Sequence, residues 1–167
     1  MGKIVEAVTP QQIEQVRSLL REYRAELPLQ LYFDQFEQEL RDLPGAYRRP
    51  KGSLLLATVA GQPVGCIGLR PFPSENTCEM KRLFVRPAFR GMNLGRALVD
   101  RILEEARALG YHRLRLDTHP PLMAAAVHLY CELGFSEIPA DPLPPLPGLH
   151  YMEIDLAPAA DRRAGAR

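Results

Sequence analysis

The sequence predicts an α/β domain, with helices and strands mixed in the α+β manner, on three observations. Strand-like alternation and helical spacing of apolar residues replace one another along residues 3–156, in the order β-α-α-β-β-β-α-β-α-β-β. Hydrophobic residues make up 46% of the 167, enough for a single sizeable core. One stretch, Glu79 to Gly110, passes from a β-prone run through a small-residue loop into a long amphipathic helix. A single domain over residues 1–157 is expected. The Ala-, Arg- and Gly-rich tail, 158–167, has little to bury and is expected to be disordered.

Each element has a local reason. Residues 3–8 form a short strand. Thr9-Pro10-Gln11-Gln12 starts a helix, with Thr9 as N-cap, Pro10 in the first turn and Gln12 closing a capping box. Ile13, Val16, Leu19, Leu20 and Tyr23 give that helix its apolar face, and Pro28 ends it. Asp34 followed by Glu37 marks a second start. Phe36, Leu40 and Leu43 follow at helical spacing, and Pro44-Gly45 closes the helix.

Ser53 to Val59 and Val64 to Leu69 are strands joined at Ala60-Gly61-Gln62-Pro63, a hairpin. Pro71, Pro73, Ser74 and Asn76 mark a turn. The strand 79–85 follows and stops before Pro87, which cannot donate a ladder hydrogen bond. Leu94, Leu98, Ile102, Ala106 and Leu109 then share a helix face, and Gly110 fits the position just past its end. Residues 113–117 alternate as a strand. Met123 to Leu133 is helical and ends at Gly134. Phe135 to Ile138 and Tyr151 to Leu156 are the last strands. Between them, 140–149 is a stiff loop holding four of the sixteen prolines.

Composition excludes several functions. A net charge of +1 offers no broad attraction to nucleic acid or membrane, and no apolar run reaches membrane-spanning length. Cys66, Cys78 and Cys131 are odd in number and lack CxxC spacing, which argues against a disulfide framework or a zinc site. The four histidines are scattered and show no metal-ligand spacing, so no metal is expected. The N-terminus runs directly into a strand-like segment without a signal peptide, and Glu6 stands where myristoylation needs Ser or Thr. A cytoplasmic protein is the expectation.

The chemistry concentrates at Arg90-Gly91-Met92-Asn93-Leu94-Gly95. Small residues let a ligand approach the backbone, and the first turn of the following helix has N–H groups without partners. With the helix dipole, these make an anion site. Lys81, Arg82, Arg86, Arg90 and Arg96 lie nearby with no acid between them in sequence. Surface charge on an ordinary loop would look the same. A P-loop needs Lys-Ser/Thr where Arg96-Ala97 stands, and a dinucleotide fingerprint needs three glycines, so both are excluded.

This loop, preceded by Leu83-Phe84-Val85-Arg86-Pro87, resembles motif A of the GNAT superfamily of N-acetyltransferases, whose pattern is Gln/Arg-x-x-Gly-x-Gly/Ala. Leu129-Tyr130-Cys131-Glu132-Leu133-Gly134-Phe135 resembles the superfamily's second signature, LYxxLGF. The order of elements agrees over residues 3–156. Asn93 replaces the middle glycine of motif A; Asn is the non-glycine residue that best tolerates positive φ.

The resemblance implies a mixed, mostly antiparallel sheet of six or seven strands flanked by about four helices, with a splay between strands 4 and 5. It implies acetyl-CoA as co-substrate and a primary amine as acceptor, with a homodimer left open. The coenzyme A diphosphate would sit on the backbone of Arg90, Gly91, Met92, Asn93, Leu94, Gly95 and Arg96. Its pantetheine arm would lie along Leu83, Phe84 and Val85. Tyr130 would give the leaving thiolate a proton, since a phenol is protonated at neutral pH.

Glu79 is the candidate base; strand alternation puts it on one face with Lys81, Leu83 and Val85. Asp117 is the second candidate. The acceptor pocket is expected from residues 27–34, 44–51 and 140–149, with Tyr23, Tyr32, Phe33 and Tyr47 as aromatic surface and Arg48, Arg49 and Asp34 as charge. A small amine or amino acid fits that mix. A protein acetyltransferase and a non-catalytic coenzyme A-binding module, the latter favoured by Asn93, stand as alternatives.

Overall fold

The computed structural model describes residues 2–27, 35–121, 123–139 and 148–156. Seven strands form one sheet: β1 (Gly2–Glu6), β2 (Ser53–Val59), β3 (Gln62–Pro71), β4 (Thr77–Val85), β5 (Arg113–Thr118), β6 (Ser136–Ile138) and β7 (His150–Asp155). Their spatial order is β1-β2-β3-β4-β5-β7-β6. Neighbours are antiparallel except β4 and β5, which are parallel. The helices are α1 (Pro10–Glu26), α2 (Phe36–Asp42), α3 (Leu94–Ala108) and α4 (Ala124–Leu133). This is the mixed sheet with four helices that the resemblance implies.

Helices cover both faces, so β2 reads as a continuous apolar run rather than an alternation. Its Leu54 and Leu56 pack with α1 and α2, against Val16, Leu19, Phe36 and Leu40. Its Leu55 and Ala57 pack on the other side with Leu98, Ile102 and Ala106 of α3. Truncating a fully buried leucine such as Leu55 to alanine would cost about 2–5 kcal/mol.

The helix ends follow local chemistry. Thr9 accepts from the Gln12 N–H while the Gln12 side chain accepts from the Thr9 N–H, the expected capping box. Gly110 has φ +89 and Gly134 φ +101, as the ends of α3 and α4 require. The start of α2 differs from expectation. Its N-cap is Gln35, in a left-handed conformation (φ 62) and without a side-chain cap bond. The Asp34 cap and the Pro28 stop lie outside the described residues, as do Tyr32, Phe33, the proline-rich stretch 140–147 and the tail 158–167.

Two features of the sheet position the site. The first is that β4 and β5 pair only over Thr77–Glu79 and Arg113–Arg115. Beyond these residues the strands separate. The second is a bulge in β4. Lys81 faces Gly68 and Phe84 faces Cys66, so two residues, Arg82 and Leu83, oppose Ile67 alone. Arg82 has φ +65, a left-handed conformation that costs a side-chain-bearing residue about 1–3 kcal/mol.

The bulge corrects the facing expected for β4. Met80, Leu83 and Val85 pack with α3, whereas Phe84 packs with α1, and Arg82 reaches Glu39 of α2. Glu79 and Lys81 therefore do not share a face with Leu83 and Val85. An inserted residue inverts the alternation beyond it, which a simple period of two cannot anticipate.

Candidate functional site

The loop before α3 has the backbone that an anion site needs. Gly91 has φ +82 and open space where a Cβ would be. Asn93 is the N-cap of α3 at φ 60, ψ 19, and its side chain makes no capping bond. The departure from glycine is thus accommodated by the conformation Asn tolerates best. The helical ladder starts with Ala97 N–H donating to the Asn93 carbonyl at 3.0 Å. The N–H groups of Leu94, Gly95 and Arg96 consequently have no acceptor within the helix, and no acid occupies its first turn.

A cavity of about 540 Å³ opens at this helix end. Arg90, Gly91, Asn93, Leu94, Gly95 and Arg96 line it, and so do Leu83, Phe84 and Val85 of β4. Met92, half exposed, does not line it. The far wall, which sequence reasoning did not assign, is the start of α4 from Met123 to Ala126, with Leu129. The run Ala124-Ala125-Ala126 was the available signal, since small side chains keep a helix start open to a ligand. The volume and the largely apolar wall suit an elongated small ligand.

The basic residues near the loop are less available than their sequence suggests. Arg86 pairs with Glu22, Arg90 with Glu26 and Arg96 with Glu132, at 2.9, 2.8 and 3.1 Å. Lys81 pairs with Asp117 at 3.2 Å and Arg82 with Glu39 at 2.8 Å. The balancing acids come from α1, α2, α4 and β5. The anion site therefore rests on main-chain donors and the helix dipole more than on free cations.

Where β4 and β5 part, a gap of about 30 Å³ is lined by Lys81, Arg82, Leu83, Asp117 and Tyr130. It shares Leu83 and Tyr130 with the large cavity. Tyr130 is buried at 5% exposure, its ring 5.6 Å from that of Phe135. Among the described residues its hydroxyl has no hydrogen-bond partner. Burial pushes its pKa well above the usual phenol value, reinforced by the Tyr23 and Asp117 charges nearby. It therefore keeps its proton at every physiological pH.

Tyr23 of α1 converges on the same place. Sequence reasoning put it in the acceptor pocket, but it lines the large cavity, its ring 5.6 Å from that of Phe84 and tilted to it by 44°. Burial raises its phenol to about 12, and both Arg82 and Asp117 act on it electrostatically. Glu79 is placed differently. It is buried on β4, its carboxylate accepting two bonds from Arg70 at 2.8 and 3.0 Å, and it lines neither the large cavity nor the gap.

Beyond the gap lies a polar cavity of about 470 Å³ between α2, the Gly45–Tyr47 turn and β4. It shares Lys81 and Arg82 with the gap, and Glu39, Tyr47 and Arg70 are also in its lining. The turn belongs to the 44–51 segment expected to contribute to an acceptor pocket, whereas Arg49 pairs with Glu6 and Glu105 instead. Cavity, gap and polar cavity thus succeed one another across β4. His128 is exposed and pairs with Glu132, and buried His119 packs under Gly148, where a Cβ would come within 2.6 Å of its Nε2. No helix among the described residues is long and apolar enough to cross a membrane.

Comparison with known proteins bears on this arrangement. Residues 13–135 match the model of the acetyltransferase (GNAT) family. An uncharacterized N-acetyltransferase of Schizosaccharomyces pombe is 36% identical over 149 residues, 89% of this chain and 91% of that protein. The N-acetylaspartate synthetase of Mus musculus is 34% identical over 112 residues, 66% of this chain and 37% of that protein. The solved structure of an aminoglycoside 6'-N-acetyltransferase complexed with coenzyme A has a TM-score of 0.70 at 20% identity, covering 93% of this chain and 98% of that one.

Proposed function

The chain belongs to the GNAT family of acetyltransferases, and from that premise we propose that it transfers an acetyl group from acetyl-CoA to the primary amine of a small molecule or amino acid, by direct attack in a ternary complex. The observation that carries this reading is the succession of spaces across β4. A cavity with an anion-binding end meets, through a gap beside Tyr130, a polar cavity of small-molecule size.

Acetyl-CoA supplies an activated acetyl thioester, and the residues present fit it. The N–H groups of Leu94, Gly95 and Arg96 would hold the diphosphate, with Arg90, Gly91, Met92 and Asn93 shaping the loop around it. Leu83, Phe84 and Val85 would lie beside the arm. Past Glu79, the β4 backbone has left β5, which frees main-chain groups to bind that arm and to polarise a carbonyl.

Tyr130 would donate to the leaving sulfur. Its raised pKa decides how. A phenol that holds its proton so firmly stabilises a thiolate by hydrogen bonding, while complete proton transfer to an ordinary thiolate would be uphill. For the amine proton, Asp117 lines the gap directly. Glu79, tied to Arg70, would act through a water. A non-catalytic module does not need a second, polar cavity beside the gap.

The test is release of free thiol from acetyl-CoA with a panel of amines, alongside calorimetry with acetyl-CoA alone. Acceptor-dependent thiol release supports the reading. Binding without turnover on any amine overturns the enzymatic reading, and absence of binding overturns the site.

A further inference from the structure

We infer that the acceptor is a zwitterionic amino acid, its carboxylate held by Arg70, beside the fixed Arg82, in the polar cavity and its amine directed into the gap beside Asp117 and Tyr130; this rests on the acetyl-transfer reading of the site. The starting point is the β4 bulge. Regular alternation would send the Arg82 side chain toward α3, into the apolar core. The positive φ at Arg82 turns it toward α2 instead. Backbone strain in a side-chain-bearing residue persists where the surroundings hold it, and it clusters at ligand sites.

Once turned, the Arg82 guanidinium is fixed from several sides. Its Nε and Nη2 donate to the two Glu39 carboxylate oxygens at 2.8 and 3.2 Å. Its plane lies over the Phe36 ring, 4.9 Å from the centroid, and its side chain is only 8% exposed. Glu39 fills that planar fork, so Arg82 is a rigid, charged wall of the cavity.

Arg70 supplies the accessible edge. Its Nε and Nη2 both donate to one oxygen of Glu79, while Nη1 lies 4.0 Å from Glu39, beyond hydrogen-bond reach. The Arg70 side chain is 34% exposed and lines the cavity. Tyr47 lines it too. Its hydroxyl is buried beneath the cavity wall, next to Arg82. The outer edge of the Arg70 guanidinium is thus a charged donor on the cavity wall, suited to an incoming carboxylate.

Charge balance selects the ligand's net charge. Arg82 is matched by Glu39, Arg70 by Glu79 and Lys81 by Asp117. Asp42, on the exposed rim, takes a bond from Gln38. A purely anionic ligand would bring an unmatched charge into this partly desolvated, paired set, and a purely cationic one would find a balancing charge only in Asp42 on the exposed rim. A zwitterion brings no unmatched charge. Its carboxylate joins the arginine side, and its ammonium meets Asp117 at the gap, where it must lose a proton before it can attack.

The experiment compares matched pairs on the full chain: each of the common amino acids against its carboxamide, which keeps the amine and side chain but loses the carboxylate. The expected result is a kcat/KM for the preferred amino acid roughly 10- to 100-fold above its amide, the worth of a charge-assisted hydrogen bond. Arg70→Gln should raise KM for the acid and bring the acid-to-amide ratio toward unity. Arg70→Lys, which keeps the charge beside Glu79, should restore part of the ratio and controls for misfolding. Equal turnover of acid and amide by the unaltered protein, or an Arg70→Gln effect equal on both, overturns the inference while leaving acetyl transfer standing. No turnover on any acceptor overturns both.

Discussion

The two sides of β4 are built in different ways. On the α3 side, the proposed coenzyme end is made of main-chain groups from contiguous residues, Arg90 to Arg96, and of apolar wall. On the α2 side, the proposed acceptor end is made of charged side chains from four separate elements, paired across elements: Arg82 with Glu39, 43 residues away, Lys81 with Asp117, 36 away, and Arg70 with Glu79, nine away. A contiguous backbone site carries its own signature, because local residues set local dihedrals. A site assembled from long-range ion pairs has no such signature. The first end is suited to an invariant ligand, and the second can be altered one side chain at a time.

The largest effect expected on the coenzyme side is that of Gly95→Glu. The nearest atom to a Cβ at Gly95 is Val85 Cγ2 at 4.0 Å, so the first carbon fits and the rest of the side chain enters the cavity. Its carboxylate would then stand among the N–H groups proposed to bind the diphosphate. Calorimetry with acetyl-CoA should show no binding while the melting temperature stays close to that of the parent. Retained binding would mean that the diphosphate is held elsewhere.

On the acceptor side the corresponding change is Glu39→Ala. It strands the largely buried Arg82 guanidinium, a loss of about 3 kcal/mol for an uncompensated buried charge. For a chain of this length that is a fall of roughly 6–12 °C in melting temperature. Acetyl-CoA binding should be spared, which separates the two ends. If thermal melting shows no change, the Arg82–Glu39 pair is not the fixed wall described above.

Tyr130 stands where the ends meet, and its substitution sharpens the contrast. Tyr130→Phe should lower kcat about 10- to 100-fold, with the KM for acetyl-CoA little changed, because the hydroxyl matters most as charge builds on sulfur. The sign of its pKa shift adds a pH criterion. Burial disfavours the phenolate, so the hydroxyl stays protonated to well above the usual value of 10. Any alkaline limb in the parent's kcat below about pH 10 must therefore belong to another group and should survive in Tyr130→Phe. An unchanged kcat would remove Tyr130 from the chemistry.

The same contrast explains what was legible in the sequence. The capping box at Thr9 and Gln12, the glycine end of α3 and the strand–loop–helix around motif A rest on neighbouring residues, and all stand in the structure as read. The facing of β4 was not legible, because the Arg82 bulge inverts the alternation and no glycine marks it. The pairing of Arg82 with Glu39 joins residues 43 apart, and that of Lys81 with Asp117 residues 36 apart. Nothing local predicts which acid meets which base. Tyr23 was legible as an apolar-face residue of α1, but its place beside Tyr130 follows from how α1 crosses the sheet.

The smallest effect tests the one residue that departs from the family's pattern. Asn93 sits at φ 60 as the N-cap of α3, and its side chain makes no capping bond. Asn93→Gly would relieve the residual cost of the left-handed conformation, yet it would also loosen the unfolded chain. These terms oppose one another and are of similar size, so the net change in stability should lie within about 0.5 kcal/mol. Acetyl-CoA affinity should likewise stay within a few-fold, since the donors at this end are the main-chain N–H groups that glycine leaves in place. Melting and calorimetry on the variant check both. A tenfold loss of affinity would show that the Asn93 amide itself touches the ligand, and the coenzyme end would then depend on a side chain, as the acceptor end does.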